Sequence, residues 1–157
     1  YLETLEDWFR KNVAPDWPEL RKEAMAILQK EAELLEIVRL VGPDALPEAD
    51  RAVLEVARMI REDYLMQHAY HPIDSYCPID KMYHMLKTIL YFNQKVREAI
   101  SKGVPLIEIL RLPVREDIAR MKIIPYDKVK EVMEEVRRKI DEQIGSLIKS
   151  REVIVPA

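Results

Sequence analysis

The stretch Val41-Gly42-Pro43-Asp44-Ala45-Leu46-Pro47-Glu48-Ala49-Asp50 decides how this chain folds, because it separates two long segments of helical periodicity. Gly42-Pro43 stops the first: glycine weakens a helix and proline clashes with the preceding turn. Upstream, Leu20, Ala24, Ile27, Leu28, Leu34, Leu35 and Val38 fall on one broad apolar face. That helix should start at Asp16-Trp17-Pro18, where Asp16 and Glu19 have capping-box spacing and Pro18 suits a first turn needing no amide donor. Downstream, a helix should begin near Pro47, with Glu48 and Asp50 set favourably against the positive end of its dipole. Val53, Leu54, Ala57, Ile60, Tyr64 and Leu65 supply its buried stripe, which fades by His68.

Working outward, the same period recurs. A short helix is expected over Leu2 to Lys11, and Pro72 and Pro78 bound a connecting loop. From Ile79 to Lys102, Met82, Met85, Leu86, Ile89, Leu90, Val96 and Ile100 form an inner face, and Gly103 can close the helix in the left-handed conformation. Two short helices fit between Val104 and Met121. The last long one, from about Tyr126 to Lys149, carries Val129, Met133, Val136, Ile140, Ile144 and Leu147 at three- and four-residue steps. No alternating segment competes as a sheet. The expected fold is therefore all-α, one helical bundle of about four long and two or three short helices over residues 1–149, with 150–157 a loose tail.

At 157 residues the chain can bury roughly 70% of its unfolded surface as one domain. Charged residues make up 34%, interleaved in sign, for a net charge of -3, which gives no electrostatic reason to expect nucleic acid as a partner. Three glycines against ten prolines suggest helices broken by proline and few phosphate-cradling loops. One cysteine, Cys77, rules out an internal disulfide framework and fits a reducing compartment. No apolar run approaches the roughly 20 residues that cross a bilayer. The first residues, Tyr1-Leu2-Glu3-Thr4, lack the features of a signal peptide and an initiator methionine, so the true start is expected upstream.

Neither G-x-x-x-x-G-K-[ST] nor G-x-G-x-x-G occurs, so no catalytic residue and no phosphate loop can be named. Cys77 near His71 and His84 reads as a bland thiol rather than a nucleophile. His68 and His71 cross the expected end of a helix and lack a third ligand, so no metal site is assigned. The acid pairs Glu62-Asp63 and Glu134-Glu135 read as solvated faces, and Arg137-Arg138-Lys139 as a source of intrahelical ion pairs.

Several passages in order bring a family into view. They are Asn12-Val13-Ala14-Pro15-Asp16-Trp17-Pro18, Leu40 to Pro47, Glu55 to Leu65, Asp74-Ser75-Tyr76-Cys77-Pro78, and Leu112 to Lys122. From Trp8 to about Ile140 the chain resembles the C-terminal helical domain of the catalytic A subunit of archaeal A-type and V-type rotary ATPases. The resemblance implies one third of a catalytic subunit, with the P-loop, the catalytic acid and the ligands for ATP or ADP with magnesium in the other domains. It implies no cofactor in this piece and no hydrolysis by it alone. The implied partners are the rest of the A subunit, neighbouring B subunits and the central stalk, in a cytoplasmic head peripheral to the membrane, with no direct insertion.

Two sites follow from the resemblance. The turn of Gly42, Pro43, Asp44, Ala45, Leu46, Pro47, Glu48 and Asp50 resembles the acidic loop by which the related F-type subunit pushes on its shaft. Of that loop, Asp-Glu-Leu-Ser-Glu-Glu-Asp, Asp44, Leu46, Glu48 and Asp50 match, whereas Ala45, Pro47 and Ala49 depart. Fewer charges favour a steric push, since Pro43 and Pro47 stiffen the turn. The second site is Ala69-Tyr70, with Gln67 and His68 beside it, where the family commonly reads Gln-Gln-Asn-Ala-Phe and packs the aromatic ring on adenine. The function so implied is mechanical coupling of ATP hydrolysis or synthesis to stalk rotation. An alternative is a freestanding helical interaction module docking through its last helix, and a further one is a small hydrolase using Cys77 or a histidine.

Overall fold

The computed structural model describes residues 7–8, 10–11, 13–65 and 79–154. Among them every regular element is helical. The order is α1 (Trp17–Val41), α2 (Glu48–Met59), α3 (Ile79–Ser101), α4 (Leu106–Leu110), α5 (Val114–Ala119) and α6 (Val129–Ile154). A wider π-helical turn, Ile60–Leu65, prolongs α2, and 3-10 turns occupy Pro43–Ala45, Met121–Ile123 and Tyr126–Lys128. The all-α bundle of four long and two short helices is the architecture that the periodicity predicts.

α3 is the common partner. It packs most extensively on α6 and also meets α1 and α2, which lie against each other as a hairpin. Met85, Leu86, Ile89, Phe92 and Val96 of α3 join Met133, Ile140 and Ile144 of α6 in one core, with Val56, Ala57 and Ile60 entering from the hairpin. Each large side chain fully buried there stabilises the fold by about 1.5–3 kcal/mol relative to exposure.

The helix ends show where sequence signals and geometry agree. Gly103 takes φ +91° beyond α3, so its N–H donates to Ile100 O at 3.0 Å and that of Val104 to Ala99 O at 3.0 Å, the paired closure expected of a glycine stop. α1 does start at Trp17 with proline in its first turn, but Asp16 makes no side-chain cap. Its Oδ1 instead accepts the Tyr83 hydroxyl at 2.8 Å, and Glu19 pairs with Arg10, so tertiary partners displace the capping box. α6 continues to Ile154, past the Lys149 at which its stripe runs out.

Two side-chain expectations need correction. Leu35 is exposed, although Ala24, Ile27 and Leu34 of the same expected face are buried and Leu20, Leu28 and Val38 are half-covered, because no neighbouring element reaches its side of α1. Asp63 is half-buried in the π-helical turn rather than on a solvated face, whereas Glu62, Glu134 and Glu135 are exposed. The basic run of α6 divides three ways. Arg138 pairs within the helix with Glu135 and Glu142, Lys139 reaches Asp117 of α5 at 3.6 Å, and Arg137 donates to Thr88 Oγ1 of α3 at 3.1 Å.

Candidate functional site

α1 outruns the core that it helps to build. Leu34 is its last buried residue, and of the following turns only Val38 is partly covered. Leu35, Ile37, Leu40 and Val41 are exposed, the last two at 68% and 67%, which makes an aliphatic shoulder at the far end of the helix. The chain then reverses within a few residues. Gly42 stands at φ +90°, ψ 161°, a conformation that side-chain-bearing residues rarely adopt, and its N–H still closes α1 by donating to Val38 O at 2.8 Å.

Pro43–Ala45 form a single 3-10 turn. Leu46 is extended (φ −88°, ψ 132°) and turns its side chain inward, 6% exposed, which pins the turn between the two helices. Pro47 starts α2: its carbonyl accepts the N–H groups of Asp50 and Arg51 at 3.0 and 3.1 Å. Arg51 reaches back, with Nη2 3.4 Å from both Pro43 O and Asp44 Oδ1. Glu48 Oε1 accepts the Leu106 N–H at 3.4 Å, placing a carboxylate at the start of α4.

All eight residues expected at the turn are therefore brought together, but they face different ways. Pro43, Asp44, Ala45, Pro47 and Glu48 are exposed, Gly42 and Asp50 are half-covered, and Leu46 is an internal anchor. The shoulder of Leu40 and Val41 was absent from the expected set. The sequence alone did not mark it, since apolar residues in the last turn before a helix-stopping glycine can equally be covered, as Ala99 and Ile100 are before Gly103. Gln67, His68, Ala69 and Tyr70 lie outside the described residues, as do His71 and Cys77.

The π-helical turn that leads toward those residues is tied to α1. Arg61 donates through Nε and Nη2 to the two oxygens of Glu31, which is buried on α1. Beside it, burial pushes the Asp63 carboxyl above its ordinary 3.8, with Glu62 adding to the rise against the pull of Lys122. His84, on α3, is held below 6.5 by burial and by the nearby cations Arg137 and Lys87. Among the described residues no helix is long and apolar enough to cross a membrane, and no three His, Cys, Asp or Glu side chains form a metal-binding group.

The model of one family, described as the C-terminal domain of V and A type ATP synthase, matches residues 6–110, a span that includes α1, the turn, α2 and α3. The chain belongs to this family. Relatives of this V and A type domain agree over almost its whole length. The A subunit of the A-type ATP synthase of Methanopyrus kandleri is 60% identical over 148 residues, covering 94% of this chain and 25% of that protein. The corresponding A subunits of Pyrococcus abyssi and Thermococcus kodakarensis are 52% and 50% identical over 143 residues, or 90% of this chain and 14% and 24% of theirs. The chain thus spans a quarter or less of the length of these relatives.

Proposed function

We propose that this chain is the mechanical arm of a rotary ATPase catalytic subunit, carrying displacement between a nucleotide site and a rotating central stalk. One observation carries the reading: α1 runs 25 residues, about 38 Å, and ends in a braced turn with uncovered aliphatic residues beyond the last core contact. Close-packed helices pass on a displacement rather than absorb it, so tilting the bundle at one end moves the turn at the other. In this reading the stalk meets Pro43, Asp44, Ala45 and Pro47 together with Leu40 and Val41, while Leu46 holds the turn from inside. The push is steric.

At the other end, Ala69 and Tyr70, beside Gln67 and His68, would wall the adenine of ATP or ADP. A tyrosine face stacked on the base contributes about 1–3 kcal/mol if stacking in nucleic-acid-binding proteins is a guide. The phosphate loop and magnesium ligands would reside in the rest of the A subunit, so this chain performs no step of hydrolysis. Neighbouring B subunits complete the assembly, a cytoplasmic head peripheral to the membrane. The names of the curated relatives and the family match support this reading.

The test is a single-molecule rotation assay on the whole enzyme in which residues 44–50 are replaced by a flexible Gly/Ser loop. Torque should fall while nucleotide binding is retained. Unchanged torque would overturn the mechanical role of the turn.

A further inference from the structure

α3 and α6 run side by side in the same direction. The Tyr126 hydroxyl donates to Asp80 Oδ2 at 3.4 Å, Arg137 Nη1 to Thr88 Oγ1 at 3.1 Å and the Tyr91 hydroxyl to Asp141, so the pairing advances along both helices together. Toward the end where both begin, the seam gathers positive charge. His84 and Lys87 of α3 and Arg137 of α6 are half-buried there, and Lys130 of α6 is exposed. Three cations, Arg137, Lys87 and Lys130, bear on the His84 ring against one acid, Asp80. The positive ends of both helix dipoles lie on the same side.

Among the described residues no carboxylate pairs with any of the three cations. Lys87 Nζ donates to the Tyr83 hydroxyl at 3.1 Å, and that hydroxyl donates to Asp16, so a neutral group stands between the ammonium and this acid. Arg137 spends one nitrogen on Thr88, whose own hydroxyl is committed to His84 O at 2.7 Å. Arg138, next in sequence, holds two carboxylates by contrast. His84 Nδ1 is buried with no hydrogen-bond partner, a state seldom seen in folded proteins.

A cluster of like charges with no counter-charge calls for an anion, and the placing of the donors selects its shape. His84 and Lys87 stand on one helix, Lys130 and Arg137 on the other. A carboxylate has two oxygens in one plane, whereas a phosphate group spreads three around its phosphorus and can meet both helices at once. The planar fork of Arg137 matches it as well. Its charge would offset the repulsion that keeps the His84 ring neutral, so the ring would gain a proton on binding and with it a further N–H donor.

We propose that the seam between α3 and α6 binds a phosphate group, held by His84 and Lys87 from one helix and by Lys130 and Arg137 from the other. The site is separate from the turn and does not depend on the mechanical reading above.

The test uses the full chain labelled with 15N. Inorganic phosphate at pH 7 should move the His84 ring signals saturably in the millimolar range, and further than sodium chloride of equal ionic strength. Lys87→Gln and Arg137→Gln should each weaken that binding about tenfold, the loss of one charge-assisted hydrogen bond. Lys130→Gln, at an exposed position, should weaken it with the melting temperature unchanged. Sulfate, doubly charged throughout the range in which histidine titrates, should shift the His84 titration upward relative to chloride. Glycerol phosphate binding as well as the free ion would extend the site to phosphate carried on a larger molecule, and binding of the free ion alone would confine it to that ion. Equal movement in chloride would reduce the effect to screening. Equal movement in acetate would assign a carboxylate, and unaltered affinity in all three variants would place the anion elsewhere. Each of these three results overturns the proposal.

Discussion

Arg61 holds Glu31 by both carboxylate oxygens, Nε to Oε1 at 3.1 Å and Nη2 to Oε2 at 2.6 Å, across thirty positions of sequence. The pair fastens the π-helical turn to the middle of α1, and so joins the segment leading toward residues 67–70 to the helix that ends in the turn. Glu31 is buried while the Arg61 side chain is about half exposed, so the carboxylate suffers more from losing its partner than the guanidinium does.

Arg61→Ala should therefore destabilise the chain by about 1–3 kcal/mol, discounted for the solvent that reaches the arginine. Glu31→Leu with Arg61→Ala should recover part of that loss, because the uncompensated buried charge is then gone. Urea unfolding of the two single variants and the double variant measures the coupling, and strict additivity of the losses would mean that the pair is incidental.

Leu46 and Asp44 lie two positions apart and should behave oppositely. Leu46→Ala removes an internal anchor and should cost about 2–3 kcal/mol, whereas Asp44→Ala, with its side chain in open solvent, should stay within about 0.5 kcal/mol of the parent. Denaturant titration reads both. Equal effects would mean that the turn is not braced from within.

Glycine positions separate backbone from packing. A Cβ at Gly103 would meet only Arg151 Nε at 3.5 Å, an ordinary contact, so the cost of Gly103→Ala comes from its φ of +91° and should be about 1–2 kcal/mol. Gly145 sits inside α6 with open space around its absent side chain, so Gly145→Ala should stabilise by about 0.4–1 kcal/mol. Thermal melts that shift in the same direction for both would contradict this account.

His84 gives the fold an acid-side sensitivity. Burial and the charges of Arg137 and Lys87 lower its folded value below 6.5, so the unfolded chain binds the proton more readily between the two values. The stabilisation is complete above about 6.5 and is lost as pH falls toward the folded value, after which the loss levels off. His84→Gln should remove that slope from stability measured between pH 7 and 5, and an unchanged slope would place the titration elsewhere.

Fold class and helix starts were legible because proline and glycine act locally: Pro18, Gly42, Pro47 and Gly103 each mark a boundary within a residue or two. Burial was less so. Leu34 and Leu35 are both apolar neighbours in sequence, but only packing decides which is covered, and the fold buries Leu34 and leaves Leu35 exposed. The burial of Asn93 on α3 carries no sequence signal, because an asparagine on a long helix reads as a surface position until neighbouring elements cover it. The widening of α2 into a π-helical turn over Ile60–Leu65 was equally hidden, since its residues continue the apolar spacing of the helix before it.

The acids of the turn keep most of their field. Arg51 stands against Asp44, but the α4 amide that Glu48 accepts carries no charge, and Asp50 has no ion pair among the described residues. Two of the three negative charges therefore stay without a cation beside them. A basic partner should grip this tip less firmly in concentrated brine than in dilute buffer, whereas a partner held by its aliphatic surface alone should not notice the difference.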